Sequence, residues 1–290
     1  MRVKLAKKVG FCFGVKRAVE MAEEVLKKKG KAYSLGSIIH NRQVVESLAE
    51  KGLKVIKNID EADSGVLVIS SHGISPDLVG RISKRSLKLV DTTCPFVRNA
   101  QETARSLGKD GYTVIIVGDA DHPEVRALYD FAGKKAFVIK DAKGLKALKL
   151  KPGQRIGILS QTTQSMDNFL GVVNAIKDAG PKDLRVFNTI CKDAEKRQAA
   201  ARDISGEVEL MLVVGGKSSA NTKRLFEVCK KILSKSYLVE TESDLEDKWF
   251  KDVSVVGITS GASTPDNIVR RVAKVLKSSA TARKRKDGCK

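Results

Sequence analysis

The sequence predicts an α/β fold with mainly parallel sheets, and three observations carry that prediction. Short apolar runs alternate with longer amphipathic stretches along the chain, as strand–helix–strand units require. Cysteine-centred segments recur with matched spacing. Polar loops that carry helix-start residues lie just past the apolar runs, where open α/β sheets collect their ligands.

Val3, Leu5 and Ala6, leading to Gly10, read as a first strand. The other apolar runs predict strands over 55–57, 65–70, 87–90, 113–117, 136–139, 155–159, 210–214, 236–238 and 253–258. The amphipathic stretches predict helices over 15–28, 41–51, 97–110, 166–178, 196–204, 222–234 and 265–277. Pro76-Asp77, Pro123-Glu124 and Pro265-Asp266 each put a proline near a first helical position with a carboxylate beside it, which is a helix-start signature.

With 290 residues, 42% of them hydrophobic and 30% charged, the chain has the composition of an ordinary globular protein. No apolar run reaches the roughly 20 residues that span a bilayer. Residues 1–10 do not read as a secretory signal, so the expected location is the cytoplasm and no membrane partner is expected. The formal net charge is +20, which favours anionic partners: phosphorylated small molecules, nucleic acid, membrane surfaces or an acidic protein. Solvated lysine-rich helices explain such a charge equally well. Aromatic residues make up 5% and do not interleave with basic ones, so nothing suggests stacking on bases, and no nucleic acid is expected. The run 283–286 reads as part of a basic, disordered tail.

Cys12, Cys94 and Cys191 occur in Gly-Phe-Cys-Phe-Gly, Asp-Thr-Thr-Cys-Pro-Phe and Asn-Thr-Ile-Cys-Lys-Asp, each ahead of a helical stretch. Another polar position follows each by 28 residues: His40, His122 and Ser219. A third set follows in His72, Thr162 and Ser263. This self-similarity implies three related units rather than two domains. They are read as 13–94, 95–190, and 1–12 with 191–278, leaving 279–290 as the tail. Three such units about one axis would bring the three cysteines to a common centre.

Five cysteines is an odd number, so one chain cannot pair them all in disulfides. Three thiolates suit either zinc with one further ligand or an iron–sulfur cluster with one iron lacking a protein thiolate. No close C-x-x-C pair of the structural-zinc kind is present. Cys229 falls on an apolar helical face and reads as core, and Cys289 lies in the tail. Ser219, Asn221 and Ser263 offer neutral donors, while His40 and His72 offer donors or positive charge, near helix N-termini that favour anions. Taken alone, such residues also make ordinary caps and turns. The Gly215–Ser219 stretch lacks the spaced first glycine of a Walker loop. All three histidines of the chain, His40, His72 and His122, fall at repeat positions. Glu124 reads either as a first-turn carboxylate complementing the helix dipole or as a proton donor with a raised pKa.

At these residues the sequence resembles the 4-hydroxy-3-methylbut-2-enyl diphosphate reductases, the LytB or IspH family. The resemblance runs from Gly10-Phe11-Cys12 to Ser263-Thr264-Pro265-Asp266. Its most specific pieces are His40-Asn41-Arg42, Ser71-His72-Gly73, Asp91-Thr92-Thr93-Cys94-Pro95, His122-Pro123-Glu124-Val125 and Gln161-Thr162-Thr163. It implies a cloverleaf of three α/β units around a 4Fe–4S cluster held by Cys12, Cys94 and Cys191, whose unique iron takes the hydroxyl oxygen of a small allylic diphosphate. It implies that His40, His72, His122, Thr162, Ser219, Asn221 and Ser263 line the substrate pocket. Glu124 is implied as the acid, with Thr162 and His122 orienting the hydroxyl. A ferredoxin or flavodoxin is the implied electron donor, and the chain is expected to be a monomer. Ala220 stands where many members carry a second serine, and Lys192-Asp193-Ala194-Glu195 departs from the commoner uncharged pattern. Two other readings of the residues are a basic nucleic-acid-binding protein with a structural metal and a zinc hydrolase of a phosphorylated metabolite with Glu124 as base.

Overall fold

Parallel strands cannot be joined by tight turns, so a chain of alternating short strands and helices must fold through crossover connections. The structure, a computed structural model, describes residues 1–133, 136–148, 150 and 153–287. In chain order the first elements are β1 (Arg2–Leu5), α1 (Phe13–Lys29), β2 (Ala32–Leu35), α2 (Arg42–Glu50), β3 (Leu53–Ile56), β4 (Ser64–Ile69), α3 (Pro76–Ile82) and β5 (Ser86–Asp91). Next come α4 (Pro95–Lys109), β6 (Thr113–Val117), α5 (Pro123–Phe131), β7 (Ala136–Ile139), β8 (Arg155–Ser160), α6 (Met166–Asp178) and β9 (Asp183–Val186). The chain closes with α7 (Lys192–Ser205), β10 (Leu210–Val214), α8 (Ala220–Ile232), β11 (Ser236–Val239), β12 (Val255–Ser260) and α9 (Asp266–Asp287).

The chain divides into two compact units. One comprises Met1–Cys12, His40–Val44 and the chain from Lys192 onward, and it holds a sheet of order β11-β10-β12-β1. The other comprises Phe13–Ile39 and Val45–Cys191, and it holds two sheets, β3-β2-β4-β5 and β7-β6-β8-β9. All neighbours in the three sheets run parallel. The three sheets share one topology, in which the first strand of each set lies between the second and the third, and the fourth follows the third. In the β10 sheet that fourth place is taken by β1 from the start of the chain.

Central strands covered on both faces explain the near-continuous apolar runs. In β6, Val114 and Ile116 pack with Ala100, Ala104 and Leu107 of α4. Its alternate residues Ile115 and Val117 face Phe169, Val172 and Ile176 of α6. In β10, Leu212 and Val214 meet Ile268 and Val272 of α9, whereas Met211 and Val213 meet Ala201, Leu225 and Cys229. Cys229 is therefore a core residue, as its apolar helical face indicates. Cys289 lies outside the described residues.

Several elements differ from those expected. β2 and β9 were not foreseen: each has only four residues, and β9 reads Asp-Leu-Arg-Val, a half-exposed strand paired along one side by β8. The helix starts at Pro76 and Pro123 open complete helices, α3 and α5. α7 begins at Lys192 rather than 196, because the charged Lys-Asp-Ala-Glu turn is its first turn and buries Ala194. α9 continues to Asp287, so the stretch expected to be a disordered tail is helical to that point, consistent with its alanines, lysines and arginines. Among the described residues no helix is long and apolar enough to cross a membrane.

Candidate active site

In each sheet the chain leaves the fourth strand, passes a cysteine and enters a helix: Cys12 before α1, Cys94 before α4, Cys191 before α7. Each cysteine N–H donates to a carbonyl in the turn that follows the third strand. The partners are Ala262 O for Cys12 at 3.0 Å, Ser71 O for Cys94 at 3.0 Å and Thr162 O for Cys191 at 2.8 Å. The three turns are alike, each closed by a hydrogen bond: Gly73 N to Ser70 O, Gln164 N to Gln161 O and Thr264 N to Gly261 O. This places Thr162 level with Ser71 and Ala262. The structural match of His72 and Ser263 is therefore Thr163, one residue beyond the Thr162 that the sequence repeat assigns. Side-chain identity alone carries no landmark there, and the backbone hydrogen bonds supply it.

Cys12, Cys94 and Cys191 are half-buried thiols outside any disulfide. Burial pushes the Cys94 thiol up, and the N–H groups of Phe96 and Val97 and the nearby Arg17 oppose that shift while Glu124 adds to it. The Arg17 guanidinium also donates to Thr93 O at 3.3 Å. Space for the Cys94 sulfur is kept by Gly14: a Cβ on that residue would lie 2.5 Å from Sγ. Three half-buried thiols at helix starts, one of them with a clearance kept open beside its sulfur, suit a thiophilic metal or an iron–sulfur group.

The second set of groups surrounds a carboxyl. Pro123 opens α5, and His122 caps it by accepting the Glu124 N–H at Nδ1, 3.2 Å away. A ring whose Nδ1 accepts carries its proton on Nε2. The His72 ring stands edge-on to His122, with centroids 5.1 Å apart. Glu124 is only 1% exposed. Thr162 donates to both of its oxygens, through N–H to Oε1 at 2.6 Å and through Oγ1 to Oε2 at 2.8 Å. Burial raises the Glu124 pKa to about 7 against the pull of those two hydrogen bonds. Glu124 can thus hold a proton near neutral pH and stay hydrogen-bonded to a hydroxyl.

The third set belongs to the compact unit that contains β10. Ser219 caps α8 by accepting Thr222 N–H at 3.3 Å. In the first turn of that helix Asn221 is 4% exposed, and neither its Nδ2 nor its Oδ1 has a hydrogen-bond partner among the described residues. Ser263 Oγ donates to the His40 carbonyl at 3.1 Å, and a Cβ on Gly216 would lie 2.6 Å from that same oxygen. Burial, helped by Lys223, lowers the His40 pKa and favours its neutral form. The 28-residue interval has a structural basis here. Gly36, Gly118 and Gly215 each donate to the last residue of the neighbouring strand, and His40, His122 and Ser219 lie four residues beyond them. The same alignment sets Glu124 level with Asn221 and Arg42. Sequence reasoning did not single out Gly14 or Arg197. Gly14 had a signal in the second glycine of Gly-Phe-Cys-Phe-Gly, whereas a charged residue within α7 reads as solvent-facing.

These features define an α/β protein built from one parallel-sheet unit used three times, with a cysteine loop after each sheet and a desolvated acid at one of them. Comparison with known proteins identifies it further. A family profile described as LytB protein matches residues 3–277. The 4-hydroxy-3-methylbut-2-enyl diphosphate reductase of Pelobacter propionicus is 44% identical over 96% of this chain and 99% of its own length. That of Geotalea uraniireducens is 45% identical over 96% and 99%. The solved structure of the E-1-hydroxy-2-methyl-but-2-enyl-4-diphosphate reductase from Plasmodium falciparum superposes with a TM-score of 0.91 at 30% identity, covering 95% of this chain and 87% of that one. Another structure, of an (E)-4-hydroxy-3-methyl-but-2-enyl diphosphate reductase described as the terminal enzyme of the non-mevalonate pathway, gives a TM-score of 0.68 at 39% identity, covering 96% of this chain and all of the other. The chain belongs to the LytB protein family.

Proposed function

We propose that this protein reduces (E)-4-hydroxy-3-methylbut-2-enyl diphosphate to isopentenyl and dimethylallyl diphosphates, the last step of the non-mevalonate route to isoprenoids. The reaction breaks the allylic C–O bond, consumes two electrons and two protons, and releases water. Family membership supports the substrate class. The single observation that carries the chemistry is the Glu124 carboxyl, buried and bonded at both oxygens to Thr162.

In this reading Cys12, Cys94 and Cys191 hold one 4Fe–4S cluster. The half-buried state of the three thiols and the clearance at Gly14 support that ligand set. When bound, the cluster supplies electrons and a Lewis-acidic iron. The remaining work falls to side chains. Protonated Glu124 must donate through Oε2 to Thr162 Oγ1, which frees the threonine hydroxyl hydrogen to face the substrate oxygen. One proton thereby moves from a desolvated acid to a departing hydroxide with no need for bulk water. His122, with its proton on Nε2, adds a second donor for that oxygen. His40, His72, Ser219, Asn221 and Ser263 anchor the diphosphate. The unpartnered amide of Asn221 supports that role, because a buried polar group without a protein partner calls for a ligand.

The common strand order of the three sheets supports reading 13–94, 95–190, and 1–12 with 191–278 as three repeated units around the cluster. A ferredoxin or flavodoxin delivers the electrons, the working form is a monomer, and a reducing cytoplasm keeps the thiols available. Anaerobic purification with iron and acid-labile sulfide quantitation, followed by turnover with a chemical reductant, tests the proposal. About four irons and four sulfides per chain, lost in Cys94→Ser, are expected. Stoichiometric zinc without sulfide would overturn it in favour of hydrolysis.

A further inference from the structure

Arg197 is 0% exposed, a long charged side chain fully buried in its unit. A guanidinium has five N–H donors and stays charged, so burying it without full pairing is costly. Its Nε donates to Asp193 Oδ2 at 2.6 Å and its Nη1 to Ser260 O at 3.3 Å, while Nη2 has no hydrogen-bond partner among the described residues. Asp193 is also shared: Lys8 Nζ lies 3.2 Å from its Oδ1.

These contacts converge on the Cys12 loop. Lys8 enters that loop tied to Asp193. Gly10 N–H donates to Ser260 Oγ at 2.9 Å, on the residue whose carbonyl accepts from Arg197. Cys12 N–H donates to Ala262 O, two residues further along the same turn. Gly10, with φ of +79°, presents its Cα to the Asp266 carboxylate, where a Cβ would lie 2.1 Å from Oδ1. Lys8 of the loop is thus paired with Asp193, Gly10 packs on Asp266, and Arg197 reaches the loop through Ser260. Of the two cations Arg197 alone has no exposure, so water screens its charge least. Cys191 immediately precedes α7, the helix that carries Arg197, so the same side chain sits within two turns of a second cysteine along the chain.

We infer that Arg197 is a positioning residue whose buried charge, held beside the Cys12 loop by Asp193 and Ser260, raises the reduction potential of the iron–sulfur group bound there. The inference rests on the proposed cluster. A reduced cluster carries one more negative charge than an oxidised one, so a fixed, buried cation favours reduction and its Asp193 partner opposes it.

The test is a redox titration of anaerobically purified protein, followed by the EPR signal of the reduced cluster. Arg197→Met removes the charge and should retain iron and sulfide while its potential moves negative by at least about 59 mV, a tenfold change for a one-electron couple. Arg197→Lys keeps the charge and should titrate close to wild type. Asp193→Asn removes the counter-charge and should shift the potential the other way, so the inference stays testable if the methionine variant fails to fold. Wild-type potentials in cluster-loaded Arg197→Met, or in Asp193→Asn, would overturn this inference alone. Absence of iron and sulfide from the wild-type protein would overturn the functional proposal and this inference together.

Discussion

Thr162 closes both oxygens of Glu124, one through its main-chain N–H and one through its hydroxyl, in a site from which water is excluded. Desolvation alone would push this carboxyl far up, and the two hydrogen bonds hold it to about 7. The pH dependence follows from the sign. The acid must be protonated to act, and protonation is lost as pH rises through about 7. Turnover should therefore decline on an alkaline limb with an apparent pKa near 7. Glu124→Gln should retain iron and sulfide, lose about 10²- to 10⁴-fold in kcat and show no such limb. Full activity in that variant would remove Glu124 from the chemistry.

Replacing the Thr162 hydroxyl with a methyl group separates its two tasks. Thr162→Val keeps the N–H to Oε1 but deletes the hydrogen bond that favours the ionised carboxylate. The Glu124 pKa should rise further, moving the alkaline limb to higher pH. Turnover on the acid side should still fall by about tenfold or more, because the relay hydroxyl is gone. A pH–rate profile reads both effects. A limb that stays in place would show that the hydroxyl does not govern the titration.

How much of this was legible in the sequence depends on what kind of information each feature carries. β6, β7 and β10 matched the strands expected over 113–117, 136–139 and 210–214, because buried parallel strands are bounded apolar runs. β9 escaped because Asp183 and Arg185 interrupt its apolar pattern. The 28-residue interval was readable because one helix and one strand separate each cysteine from its matched polar position, fixing the count. The third repeat position slipped by one residue because the Ser71, Thr162 and Ala262 correspondence lies in carbonyl groups, which a sequence does not display. Arg197 was invisible for a related reason: its burial depends on Ser260, 63 residues away.

Asn221 offers a test of substrate binding in which stability and function move independently. Its amide is buried with no hydrogen-bond partner among the described residues, so it contributes desolvation cost without a compensating hydrogen bond. Asn221→Leu, close in size, should leave the thermal midpoint unchanged or raise it. The KM for the diphosphate should rise about tenfold or more, the value of about 1.5 kcal/mol for a hydrogen bond to a charged group. A destabilised variant with unchanged KM would assign Asn221 to the fold instead.

Gly14 provides the complementary case, in which a normally favourable change is expected to harm. Alanine in a helix interior is favoured over glycine by about 1 kcal/mol. Gly171 in α6 has nothing within 4 Å of an added Cβ, so Gly171→Ala should gain stability of that order. Gly14 is also helical, but its added Cβ would lie 2.5 Å from Cys94 Sγ and 3.1 Å from Cys94 Cβ. The sulfur must move, and Gly14→Ala should lose iron and sulfide while its far-ultraviolet circular dichroism stays near wild type. Gly14 lies in the first turn of α1 and Gly171 in the interior of α6, so neither change breaks its helix and a loss of iron in Gly14→Ala alone reports the displacement of one thiol. Equal iron content in the two would mean that Cys94 tolerates the shift or does not ligate.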